Sequence, residues 1–99
     1  MTELLIVAAY DIAISSPGGT KRLAQVAKLC ERYGQRVQNS VFECVIDTMQ
    51  FKQLQNEMLA IIHQDVDSVR YYNLGNHYES KVIHVGAKDV QNIESPIIL

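Results

Sequence analysis

The stretch ELLIVAAYD, from Glu3 to Asp11, decides the fold. Read as a strand, it places Leu4, Ile6 and Ala8 on one face and Leu5, Val7 and Ala9 on the other, so both faces are apolar. Such a strand belongs in the middle of a sheet and is covered from two sides. After it, Ser15-Ser16-Pro17-Gly18-Gly19 breaks the pattern, with Ser16 before Pro17 marking the start of a helix. Leu23, Val26, Ala27, Cys30 and Tyr33 then recur at three- and four-residue spacing, which predicts an amphipathic helix with its basic residues outside. Gly34 stands where a left-handed helix cap is expected. The run RVQNSVFECVID, residues 36–47, mixes β-branched, aromatic and polar residues, and Asn39-Ser40 interrupts it, predicting two short strands or one strongly bent one. Asp47 with Gln50 three residues on is a capping box for a second helix, with the apolar stripe Phe51, Leu54, Met58, Ile61 and Ile62 and an end near Gln64. Asp67 to Leu74 is a further strand closed by Gly75-Asn76, and Lys81 to Val85 a last short one before a tail from about residue 86.

The resulting order, β-α-β-β-α-β plus a C-terminal strand, is the α+β ferredoxin-like arrangement, two helices on one face of a four-stranded antiparallel sheet. Its other face is bare, yet the central strand is apolar on that side too. The simplest cover is the same surface of a second copy, so a sheet-to-sheet homodimer is expected.

With 99 residues the chain is read as one domain spanning 1–99, and 47% hydrophobic against 20% charged residues excludes a disordered or supercharged segment. No apolar run is long enough to span a membrane, and the one near the start lacks the flanks of a signal peptide, so a cytoplasmic protein is expected. Cys30 and Cys44, without a framework of close spacings, read as buried thiols.

The net charge of −2 argues against indiscriminate nucleic-acid binding, but the average hides a patch. Residues 15–42 carry Lys21, Arg22, Lys28, Arg32 and Arg36 against Glu31 alone, a local charge of +4 on a body of −6. A basic face built on one helix and the next strand would suit phosphates, and a merely solvated helix face is the plainer alternative. Asp11, after Tyr10 and before a glycine-containing loop, is an exposed but rigidly held carboxylate at the mouth of the central strand. Turn chemistry is its ordinary role. If a two-fold axis passes near the ends of the first strands, two Asp11 side chains can share Mg²⁺ or Mn²⁺. His63, His77 and His84 lack zinc-ligand spacing, neither thiol has a base partner, and Gly-rich phosphate loops are missing. Phe42 alone does not make an RNA-recognition strand, and with Val41 it reads as core or interface packing.

At these residues a family becomes recognisable. The strand end Ala9-Tyr10-Asp11-Ile12, the basic helix with Arg22, the run YGQRVQNSVFEC from Tyr33 to Cys44, and later DSVRYYNLG and HVGAK resemble the second of the two universal CRISPR-associated adaptation proteins, in wording closest to the type I-C group. The resemblance covers nearly the whole chain. It implies a ferredoxin-like homodimer that joins two dimers of the CRISPR integrase on spacer DNA, and in some members a metal-dependent endonuclease acting on RNA or double-stranded DNA. It also implies a catalytic, metal-binding Asp11 and nucleic-acid contacts from Lys21, Arg22 and Arg36, with Tyr10, Gln38, Ser40 and Phe42 as motif residues. Many relatives carry further acidic residues in the loop after the aspartate, where this chain has Ser15 to Gly19, so metal ligation there rests on Asp11 alone. The alternative is an unrelated ferredoxin-like regulatory or ligand-binding domain, since the fold hosts many functions.

Overall fold

The computed structural model describes residues 2–87. Its elements are β1 (Leu4–Asp11), α1 (Gly19–Tyr33), β2 (Gln35–Gln38), β3 (Val41–Ile46), α2 (Thr48–Ile61) and β4 (Ser68–Asn73). The four strands form one sheet in the order β2-β3-β1-β4 with every neighbouring pair antiparallel, the ferredoxin-like topology expected. β1 is central as its two apolar faces require, pairing Leu4 with Ile46 on one side and Ile6 with Asn73 on the other.

Both helices cover the face that carries Ile6, Ala8, Phe42, Cys44 and Ile46, where Val26, Leu29, Cys30, Leu54 and Met58 complete the core. The opposite face carries Leu5, Val7, Ala9, Val41, Glu43, Val45, Arg70 and Tyr72. There Val45 and Tyr72 remain 42% and 46% exposed. The Asp47–Gln50 capping box forms as expected, each residue bonding the other's backbone N–H, at 2.8 and 3.0 Å. Cys30 and Cys44 are free and fully buried, as expected. Burial pushes their pKa values up to about 12 and about 11, leaving both as inert thiols.

Several local expectations are corrected. α1 begins at Gly19 with Gly18 as its cap, because Ser16 spends its hydroxyl on the Ala13 carbonyl instead of capping the helix. Gly34 is extended rather than left-handed, at φ −164°. What requires glycine there is space: a Cβ would lie 2.2 Å from the Glu43 carbonyl oxygen and 2.6 Å from the Cys44 sulfur. α2 stops at Ile61, and the turn that follows is closed by the amides of Val66 and Asp67 on the His63 carbonyl. The final strand at 81–85 does not form. Val82, Ile83 and Val85 are exposed, and residues 81–85 pair with none of the four strands. The tail from residue 88 onward lies outside the described residues.

Candidate functional site

β1 delivers adjacent residues to opposite sides of the sheet. Tyr10 turns into the core, 6% exposed, with its ring stacked on Phe42 at 6.2 Å and its backbone N–H donating to the Ser40 carbonyl at 3.0 Å. The motif run resolves as a hairpin. Its turn, Asn39-Ser40, abuts Tyr10, and a register irregularity between Arg36 and Gln38 leaves Gln38 exposed beside Val41. Arg36 is exposed and lays its guanidinium over the buried Phe42 ring, 5.2 Å from the centroid. Phe42 is thus core packing, as expected, and Arg36 keeps a solvent-facing charge.

Asp11 closes the β1–β4 ladder opposite Ser68 and is exposed. Among the described residues its carboxylate takes part in no hydrogen bond or ion pair. The loop that follows is fastened from beneath. Asp67, missed from the sequence, accepts the Ala13 amide at 2.9 Å, the His63 amide at 2.9 Å, and two guanidinium bonds from Arg22 at 2.8 and 3.2 Å. Arg22 also donates to the Pro17 carbonyl at 2.8 Å and to the Ser16 hydroxyl at 2.6 Å. The Arg22 guanidinium and the two amides hold the Asp67 carboxyl far below the usual carboxylate range against the opposing effect of burial. α1 can approach this loop because Gly19 has no side chain: a Cβ would lie 2.2 Å from the Ala13 oxygen.

The expectation that Arg22 contacts phosphate is therefore corrected. It is 5% exposed and its donors are committed inside the protein. Nothing in helical periodicity marks it, because one basic residue among four on a helix reads as surface. Arg32 is exposed but paired with Glu57 at 2.8 Å, and Glu57 also accepts the Tyr33 hydroxyl. Lys21, Lys28 and Arg36 remain as solvent-facing cations. On the open sheet face Glu43 is half-buried, and that burial raises its carboxyl above the usual range.

The donor set of one chain does not fit a divalent cation. Among the described residues no three histidine, cysteine or acidic side chains converge, and the Asp67 oxygens are taken. With the Asp67 oxygens committed and no cluster of three ligating side chains among the described residues, a cation bound at Asp11 with most of its waters kept would take its second carboxylate from Asp11 of another copy.

The chain is thus a small ferredoxin-like α+β unit with an uncommitted carboxylate at the end of its central strand, exposed cations on the first helix and second strand, and a partly bare sheet face. The family described as CRISPR associated protein Cas2 matches residues 4–82, and the chain belongs to it. It is 52% identical to the CRISPR-associated endonuclease Cas2 of Halalkalibacterium halodurans over 96% of this chain and 99% of the relative. It is 45% identical to the CRISPR-associated endoribonuclease Cas2 of Nitratidesulfovibrio vulgaris, covering 97% and 94%. The crystal structure of Streptococcus pyogenes Cas2 at pH 6.5 superposes with a TM-score of 0.72 at 43% identity, covering 83% of this chain and 99% of that one. Family membership removes the alternative of an unrelated regulatory or ligand-binding domain. Among the described residues no helix is long and apolar enough to cross a membrane.

Proposed function

We propose that the chain acts in CRISPR adaptation as a homodimer that bridges integrase subunits on spacer DNA, and that it cleaves phosphodiester bonds of RNA or double-stranded DNA with Mg²⁺ or Mn²⁺. The carrying observation is Asp11: exposed, uncommitted and placed at the end of a rigid central strand. Asp11 from each copy would hold the cation, which would supply an activated water and neutralise developing charge. Lys21 and Arg36, with Lys28, would hold the nucleic acid by its phosphates without reading bases. The names of the two relatives, an endonuclease and an endoribonuclease, support the hydrolytic reading.

A second reading, a scaffold without cleavage, is favoured by the lone carboxylate and by a loop, Ser15 to Gly19, that adds no acidic residue. The Asp11→Asn variant separates the two. It keeps the side chain's size but removes the charge a hard cation demands. Cleavage by the Mg²⁺- or Mn²⁺-loaded dimer is expected to fall by orders of magnitude, with dimer mass and spacer integration retained. Undiminished cleavage in Asp11→Asn removes the hydrolytic reading; integration lost from a variant still dimeric and still bound to the integrase removes the division of roles.

A further inference from the structure

Among the described residues Asp11 has no side-chain partner to hold it, so its position depends on the backbone on either side. The sheet ladder ends at the Asp11–Ser68 pair, and beyond it the chain runs as an irregular loop to α1. The buried Asp67 carboxylate bridges that gap. It is the residue immediately before Ser68, and it binds the amide of Ala13, two residues after Asp11. Arg22 ties the same carboxylate to Pro17 and Ser16, and Ser16 returns to the Ala13 carbonyl at 2.6 Å. Both polar groups of Ala13 are thus clamped, one by Asp67 and one by a hydroxyl that Arg22 orients.

We propose that Asp67, with Arg22, is a positioning residue for Asp11, fixing where the strand-end carboxylate stands relative to the rest of the sheet. The proposal rests on the reading of Asp11 as the reactive carboxylate. It also explains why a family-motif arginine on a basic helix is turned inward: its partner is the loop behind the site rather than a phosphate. A buried ion pair costs solvation to assemble and adds little stability over a well-packed apolar replacement, whereas losing one partner leaves an uncompensated charge against the loop. Its contribution here is geometric: a small displacement of a carboxylate that must meet a cation opposite its symmetry mate lowers turnover without abolishing the fold.

The test uses the full chain as a dimer. In Asp67→Asn the amide oxygen can still accept the Ala13 N–H, but an NH₂ group now faces donors from His63 or Arg22. The amide of Ala13 is expected to exchange at least tenfold faster with solvent than in the parent, with the Ile6 amide in the ladder unchanged. Mn²⁺ titration should show weaker binding. Cleavage should lose about 10- to 100-fold in kcat with KM within about twofold. Arg22→Lys, which keeps the charge but cannot reach Asp67, Pro17 and Ser16 at once, should move all three readouts in the same direction by less, and it stands in if Asp67→Asn does not fold. Ile46→Ala, in the core at the far end of the ladder, serves as a control of matched loss in Tm and should leave kcat and Mn²⁺ binding at parent values. Parent-like kcat and Mn²⁺ affinity in Asp67→Asn and Arg22→Lys overturn the proposal, as does an equal loss in Ile46→Ala, which would reduce the network to ordinary stability. If Asp11→Asn abolishes cleavage while Asp67→Asn and Arg22→Lys do not alter it, only the positioning role falls; if Asp11→Asn itself cleaves normally, the hydrolytic reading falls and the positioning role with it.

Discussion

At the scale of single residues, the buried polar groups carry the sharpest consequences. Asp67 is held ionised in the folded chain by Arg22 and two amides, whereas in the unfolded chain it titrates near the ordinary carboxylate value of about 4. Its folded pKa is depressed, so its contribution to stability is present above about pH 4 and is lost as the pH falls below that toward the folded value. In that window unfolding takes up one more proton at Asp67. Urea midpoints measured from pH 5 down to pH 2 should therefore fall more steeply in the parent than in Asp67→Asn; parallel slopes would show that the carboxylate is not held as the geometry indicates. Tyr71 presents the opposite case. Its ring meets Phe51 edge-on at 5.4 Å, but its hydroxyl is buried without a partner among the described residues. Removing an unsatisfied group while keeping the ring is favourable, so Tyr71→Phe should raise the unfolding free energy by about 1 kcal/mol in urea titrations.

At the scale of elements, joints decide more than propensities. The turn from α1 into β2 passes so near β3 that Gly34 has no room for a methyl group against Glu43 and Cys44. Gly34→Ala should cost about 3 kcal/mol by displacing backbone, and Gly34→Asn, which suits a left-handed cap, should be worse rather than better; denaturation of the two variants decides it. The same joint shows how far the sequence could be read. Six elements were legible because period two in ELLIVAAYD, period three to four in both helices, and the Asp47–Gln50 box are local signals. Gly34 was correctly placed at a helix end for the wrong reason, since a close approach of β3 leaves no mark in the local sequence. The Lys81–Val85 segment is rich in β-branched residues as a strand is, but composition does not supply a partner strand. The exposure of Asp11, Lys21 and Arg36 is legible from motif and charge. The burial of Arg22 is not, because it depends on Asp67, 45 residues away, and an ion pair at that separation has no spacing to betray it.

At the scale of the whole molecule, the partly bare sheet face governs the rest. Val7 lies at its centre between Glu43 on β3 and Tyr72 on β4, and Arg70 stands one pair further along the same side as Tyr72. A face with apolar residues in the middle and opposite charges to either side of β1 is self-complementary under a two-fold axis running along that strand, which suits the proposed homodimer. Because no three ligating side chains converge within one chain among the described residues, the proposed cation site, built from Asp11 of each copy, depends on this association. Val7→Lys puts a charge at the centre of the face without touching Asp11 or the helix-side core. Sedimentation should show it as a monomer at concentrations where the parent is dimeric, and cleavage should fall with the dimer and partly return as protein concentration is raised, as mass action requires. Asp11→Asn, by contrast, should lose cleavage at every concentration while remaining dimeric. A Val7→Lys monomer that cleaves at the parent rate would place the reactive group within one chain, and the reading of Asp11 as half of a shared site would have to be abandoned.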